Sequence, residues 1–227
     1  MKLLQRPKGT RDILPAECRS WQNLEKFLRD TANLYGFREI RIPTFEKTEL
    51  FSRGVGETTD VVQKEMYTVT AGNSSFTLRP EGTAGTIRAI LENGMLNDAL
   101  PQRVYYILSC FRHENKQKDR YREFHQFGVE MIGSPMPSAD AEIIAMANQI
   151  LSQLGLINVS LHINSIGCPT CRKAYQEALR AYFAPVRECL CATCQERYEK
   201  NPLRLLDCKE SSCKKLGLDA PIILEGM

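Results

Sequence analysis

Cys110-Phe111-Arg112-His113-Glu114-Asn115-Lys116-Gln117-Lys118-Asp119-Arg120-Tyr121-Arg122-Glu123-Phe124-His125-Gln126-Phe127-Gly128-Val129-Glu130 reads as two strands joined by a polar connection. Side chains alternate between the two faces of a strand. Arg112 and Glu114 therefore share a face in the first run. Phe124, Gln126, Gly128 and Glu130 share one in the second, while His125, Phe127 and Val129 point the other way. One face of the hairpin thus gathers a guanidinium, carboxylates, a carboxamide and an aromatic ring. Buried polar groups at that density cost free energy unless they are paired, so such a face meets a ligand or a polar partner. A planar Arg112 fork suits a phosphate, Phe124 offers a stacking surface for a base, and Glu130 with Gln126 suits a cationic or hydrogen-bond-donating small molecule. Lys116, Lys118, Arg120 and Arg122 make the connection a basic flap over an anionic ligand. The competing reading is a solvated hairpin with a charged tip, and pattern alone leaves both open.

Around this hairpin the periodicity changes several times. Apolar residues at Trp21, Leu24, Leu28, Ala32 and Tyr35 form a helical stripe that ends at Gly36. From Phe37 the period drops to two until Pro43 stops the run, as a strand followed by a break would look. Further strands are expected at Glu65 to Val69, Ser75 to Leu78, Arg103 to Arg112, Arg122 to Met131 and Asn158 to Ile163, with helices from about Gly82 to Asn93 and from Ala139 to Leu154. Strands outnumber crossover helices and lie close together, which predicts an α+β fold with a mostly antiparallel sheet flanked by helices. Composition shifts at Gly167, so residues 1–166 are expected to form the sheet domain and residues 167–227 a small helical, cysteine-rich domain.

A second polar cluster, Leu78-Arg79-Pro80-Glu81-Gly82-Thr83-Ala84, sits where a strand hands over to a helix. Gly82 permits a tight turn, and Glu81 and Thr83 can aim oxygens into a shared cavity. Helix capping by Glu81 or Thr83 is the equally physical alternative.

The totals constrain partners weakly. At 43% hydrophobic and 25% charged residues the 227-residue chain is an ordinary globule, and a net charge of +3 permits nucleic-acid binding without demanding it. No apolar run approaches the ~18 residues of a membrane span, and Met1 to Pro7 is broken by charge and proline, which predicts a cytoplasmic protein without export or insertion. Of nine cysteines, Cys168, Cys171, Cys189, Cys191, Cys194, Cys208 and Cys213 crowd into the C-terminal part. Such clustering suggests reduced thiols or a metal before disulfides. Cys168-x-x-Cys171 and Cys191-x-x-Cys194 have four-thiolate zinc spacing, with Cys208 and Cys213 as possible substitutes.

Six ordered blocks resemble histidyl-tRNA synthetases, class II aminoacyl-tRNA synthetases. They are Arg6 to Asp12; Gly36 to Arg41 through Pro43 with Phe45-Glu46; Leu50 to Glu57; Lys64 to Tyr67; Leu78 to Ala84; and Phe111-Arg112 through Glu130. The resemblance implies that the helix and strand ending at Pro43 are the dimer-forming motif 1, and that the Arg112 hairpin is motif 2. It gives Arg112 the α-phosphate and the substrate carboxylate, Glu114 and Phe124 the adenine, and Arg120 the outer phosphates of ATP. Glu81, Gly82, Thr83 and Gln126 would hold the amino end of histidine, and Glu130 its imidazole. It further implies a homodimer that takes ATP with Mg²⁺, L-histidine and tRNA(His) and forms histidyl-adenylate before charging the tRNA. By the same resemblance the second histidine-specific block, motif 3 and the anticodon-binding domain lie beyond residue 227, residues 167–227 being most of a helical insertion. The 227 residues alone are then expected to be inactive. The wording departs from the family at Leu108-Ser109-Cys110 and Asn115 to Arg120. The alternative readings are a synthetase-like regulatory subunit of histidine biosynthesis, which binds without catalysis, and a simple histidine- or metal-binding module.

Overall fold

The computed structural model describes residues 3–55, 59, 62, 65–114, 120–165 and 167–223. The flap residues Lys116 and Lys118, together with Gly56, Glu57 and Lys64 of the family-like blocks, lie outside the described residues. The chain divides into two compact units, Met1–Val159 and Ser160–Met227. Sequence composition placed the change at Gly167 instead.

In the first unit, α1 (Pro15–Leu34) starts with proline at its first turn and Glu17 near its positive end, and gives way to Gly36 at φ +75°, a conformation glycine adopts without steric cost. The chain then forms β1 (Arg38–Glu39), β2 (Phe45–Lys47) and α2 (Thr48–Val55). Next come β3 (Thr68–Ala71) and β4 (Ser74–Leu78), which lead into α3 (Thr83–Glu92). The two long strands β5 (Gln102–Phe111) and β6 (Glu123–Ile132) form the hairpin, and α4 (Pro137–Gln153) follows. One sheet has the order β1-β5-β6 and the other β2-β4-β3. Every pairing is antiparallel except β1 against β5, so the α+β, mostly antiparallel fold is the one observed.

The β5–β6 register sets the two faces, with Cys110 opposite Phe124, Leu108 opposite Gln126, Tyr106 opposite Gly128 and Val104 opposite Glu130. On one face Tyr105, Phe127, Val129 and Met131 pack with Ala32 of α1 and Met146 of α4. That layer covers the sheet's apolar side. On the other face Tyr106, Leu108 and Cys110 pack with Ile42, Ala89 and Phe124, leaving the polar residues of β6 on the same side.

Three expected strands differ. The run Phe37 to Ile42 is reduced to Arg38–Glu39, the two residues in register with Val104 and Tyr105 of β5, and the ladder ends after the Ile40 N–H donates to the Tyr105 carbonyl at 2.8 Å. The strand expected at Glu65 begins at Thr68. Asn158 to Ile163 is not a strand: Ile157, Val159, Leu161 and Ile163 are exposed, and no neighbouring strand among the described residues completes the ladder that an extended segment needs.

The second unit consists of α5 (Pro169–Phe183), α6 (Ala192–Lys200), α7 (Ser211–Leu216) and short 3-10 turns at Ala184–Cys189 and Pro202–Leu205. Its core gathers Leu179, Phe183, Leu190 and Leu205 with Cys194, Cys208 and Cys213. Among the described residues no helix is long and apolar enough to cross a membrane.

Candidate active site

The polar face of β6 meets the β4–α3 turn, and one buried tyrosine joins them. Tyr106 points from β5 into the space that Gly82 and Gly128 leave open: a Cβ at either glycine would lie 2.3 Å from the Tyr106 ring. Its hydroxyl is 3.2 Å from Glu130 Oε1, to which it donates, and 3.4 Å from Thr83 Oγ1. Burial, with Glu130 beside it, holds the Tyr106 phenol well above its ordinary value, so it stays a neutral donor. Burial also raises the Glu130 carboxyl, while hydrogen bonds from Thr83 and Tyr106 oppose the rise and Glu81 adds to it. A half-buried carboxylate with two hydroxyls for company is poised to gain from a cationic or N–H-bearing ligand.

Glu81 caps α3, its carboxylate accepting from the Thr83 and Ala84 backbone N–H groups at 2.5 and 2.8 Å. The carboxylate retains further lone pairs for a ligand, so capping and binding are compatible. Gln126 Oε1 accepts the Gly82 N–H at 2.9 Å, which ties β6 to the turn and leaves the Gln126 amide donors for another partner. The Cys110 thiol below also donates to Gln126 Oε1, at 3.4 Å, and burial pushes that thiol up to about 11, an inert group. A cavity of about 1180 Å³ has Glu81 and Thr83 in its wall, together with Leu50, Arg53, Ile87 and Arg88.

Beyond the end of β5, the Arg112 N–H still pairs with the Arg122 carbonyl at 2.9 Å, which keeps Arg112 on the Phe124 side. Its Nε donates to the Pro80 carbonyl at 2.8 Å, its guanidinium carbon lies 5.2 Å from the centre of the Phe124 ring, and Glu114 approaches Nη1 at 3.8 Å. Arg120 reaches the other Glu114 oxygen at 3.3 Å. The guanidinium is fixed at Nε and lies against the Phe124 ring, with Nη1 near a carboxylate that can exchange for a ligand. Arg79, by contrast, is a structural cation: it is buried and donates to the carbonyls of Ser109, Ile42 and Pro43 at 2.7, 2.9 and 3.0 Å.

The structure thus assembles two neighbouring polar groups: Glu81, Thr83, Gln126 and Glu130 in one, and Arg112, Glu114, Arg120 and Phe124 in the other, with Gly82 holding the turn between them. Sequence reasoning missed Tyr106, hidden in an apolar-looking Tyr105-Tyr106 pair; the glycines opposite it were the available signal. It also grouped the thiols differently. Cys191 and Cys194 are joined by Cys208 and Cys213, all four sulphurs lying within 4.8 Å of one another. Cys168 and Cys171 lie outside that group and pair with each other at 3.3 Å at the head of α5.

At the level of fold alone, the chain is similar to an ATP phosphoribosyltransferase regulatory subunit/histidyl-tRNA synthetase from Bacillus halodurans, with a TM-score of 0.63 and 23% identity over 94% of this chain and 54% of that one. The histidyl-tRNA synthetase family model matches residues 9–175, and the chain belongs to that family. Apo histidyl-tRNA synthetase of S. aureus superposes with a TM-score of 0.77 at 39% identity, covering 98% of this chain and 50% of that one. A histidine–tRNA ligase of Acetivibrio thermocellus is 54% identical over 226 residues, 99% of this chain and 54% of that protein. The chain spans about half the length of the curated relatives it matches.

Proposed function

We propose that the protein, at its full length, activates L-histidine with ATP and transfers it to tRNA(His) as a cytoplasmic homodimeric ligase. The observation that carries the reading is the paired arrangement on one sheet face: a carboxylate-rich pocket around Glu130 beside a stacked, singly tethered guanidinium at Arg112. Family membership supplies the substrates.

In this reading Glu130 accepts from the imidazole, with Tyr106 and Thr83 orienting it, while Glu81, Thr83 and the Gln126 side chain take the ammonium group. Gly82 keeps the turn close enough for both. Arg112 binds the substrate carboxylate and the α-phosphate, Phe124 and Glu114 receive the adenine, and Arg120 the outer phosphates. A carboxylate oxygen of histidine attacks the α-phosphorus; the bond to the β-phosphate oxygen breaks, and pyrophosphate leaves with its Mg²⁺. No covalent enzyme intermediate is needed, so rate comes from positioning and from charge placed where the phosphorane develops. The terminal ribose hydroxyl of the tRNA then displaces AMP from the adenylate. Dimerisation is assigned to α1 and the segment from Phe37 to Pro43 that contains β1, on the resemblance to motif 1.

A regulatory subunit that binds histidine without activating it is not favoured, because the curated relatives at 54–55% identity are histidine–tRNA ligases. Histidine-dependent ATP–pyrophosphate exchange by the full-length protein, followed by charging of tRNA(His), tests the proposal. Binding of histidine with no exchange would return the regulatory reading.

A further inference from the structure

We propose that Cys191, Cys194, Cys208 and Cys213 form a four-thiolate site for a single zinc ion that holds the second unit together. The four thiols come from three chain segments. Cys191 precedes α6 as its N-cap and Cys194 stands in its first turn. Cys208 follows the 3-10 turn Pro202–Leu205, and Cys213 belongs to α7. Yet all four sulphurs lie within 4.8 Å of one another, and those of Cys191 and Cys208 are 3.9 Å apart.

That spacing is close to what a tetrahedral centre requires. With Zn–S bonds of about 2.3 Å, the edges of a regular tetrahedron of sulphurs are about 3.8 Å, so the cluster would contract by no more than about an ångström. The ligands sit at Cys-x-x-Cys and Cys-x-x-x-x-Cys spacings. The Cys191 backbone N–H already donates to Cys213 Sγ at 3.2 Å, the kind of support that stabilises a thiolate over a thiol. Lys209, Lys214 and Lys215 flank two of the ligands and can offset the net negative charge of four thiolates around one dication.

Two blander accounts fit less well. Buried thiols often serve as small apolar fillers, but a filler has no need of sulphur neighbours, and here three separate chain segments deliver sulphur to one point. Disulfides are not formed, since all nine cysteines are free. The unit is also small enough to gain from a staple: among its described residues the buried cluster consists of Leu179, Phe183, Leu190 and Leu205 with Cys194, Cys208 and Cys213, and partly buried side chains such as Tyr175, Tyr182 and Tyr198 pack against it. Thiolate ligands and a tetrahedral set select a soft dication such as zinc over magnesium or calcium. Cys168 and Cys171, outside the cluster, provide a built-in control.

The test is metal analysis of the full-length protein, purified without an affinity tag or added metal and dialysed against a weak chelator. One zinc per chain is expected, released in full when a mercurial reagent blocks the thiols. Cobalt in its place should show the intense visible bands of tetrahedral thiolate coordination. Cys194→Ser and Cys208→Ser should each lose the metal, whereas the double variant Cys168→Ser/Cys171→Ser should keep it. If the serine variants do not fold, the wild-type stoichiometry, mercurial release and cobalt spectrum, with the double variant, still decide. A cooperatively folded, metal-free protein overturns the proposal. So does mass spectrometry showing these four residues joined as disulfides, or zinc that leaves with Cys168 and Cys171 instead.

Discussion

The Tyr106 hydroxyl lies 3.2 Å from Glu130 Oε1, and its ring fills the gap that Gly82 and Gly128 leave between β6 and the start of α3. Donor and acceptor thus come from neighbouring strands, with Thr83 of the helix 3.4 Å away. Tyr106→Phe keeps the ring and removes only the hydroxyl. A hydrogen bond to a partly charged acceptor contributes about 1–1.5 kcal/mol, so the KM for histidine should rise roughly five- to tenfold while that for ATP stays put. Steady-state exchange kinetics read both, and an unchanged histidine KM would show that the phenol does not orient Glu130.

Gly128→Ala should be costly for a steric reason. Its Cβ would stand 2.3 Å from Tyr106 Cζ, in a strand that pairs along its whole length with β5. Overpacking of this kind costs about 1–3 kcal/mol, and a domain of this size loses about 2–4 °C per kcal/mol. A melting temperature lowered by less than a degree, followed by circular dichroism, would mean that the ring moves aside freely.

Glu130→Gln separates stability from recognition. The folded-state carboxyl is raised above its ordinary value of 4.5, chiefly by burial. A raised acid favours the folded state at low pH, and that contribution is lost as pH rises through the folded value, so at neutral pH the ionised Glu130 opposes folding. The glutamine variant should therefore melt a little higher than wild type at pH 7 and lose this advantage below about pH 4. It should also bind histidine at least tenfold more weakly, because an acceptor-only group has become an amide. Histidine affinity of the wild type should fall with acid through a value above 4.5, a limb the variant lacks. A variant less stable at pH 7 would contradict the assigned burial cost.

Arg79 and Arg112 are predicted to fail in opposite ways. Arg79→Met strips donors from the Ile42, Pro43 and Ser109 carbonyls, and buried acceptors left unpaired cost about 1–3 kcal/mol each. Its main effect should be a large fall in melting temperature. Arg112→Ala loses one carbonyl contact, the Phe124 ring contact and a 3.8 Å approach to Glu114, all partly exposed, and should leave the melt within a few degrees. The reverse ranking would mean that the two arginines have been given each other's roles.

The hairpin was legible in the sequence because strand alternation alone decides which side chains share a face, and β5 and β6 are long enough for that rule to act ten residues at a time. Short elements were not. Arg38–Glu39 is a strand only because β5 lies parallel to it, and Phe45–Lys47 only because β4 does so antiparallel, facts of tertiary pairing that local pattern does not carry. The alternating Asn158 to Ile163 run shows the converse, since β-propensity without a partner strand makes no ladder. Cys-x-x-Cys spacing marked two thiol pairs correctly as neighbours, but which pairs meet depends on how α6, α7 and the turn between them fold. Tyr106 was invisible for a related reason: a tyrosine in an apolar strand reads as core until the glycines across from it are placed.

Whether Arg112 serves adenylate formation is measured by histidine-dependent ATP–pyrophosphate exchange of the full-length protein and its Arg112→Ala variant, assayed side by side with circular dichroism to confirm folding. Arg112 is held at Nε by the Pro80 carbonyl and lies against Phe124, with Glu114 3.8 Å from Nη1, and in the proposed function this guanidinium neutralises the charge that develops on the α-phosphorus. Removing a preorganised group of this kind costs about 10²–10³ in rate or more. A folded Arg112→Ala variant is expected to show that loss; exchange within a fewfold of wild type would contradict a role for Arg112 at the α-phosphate.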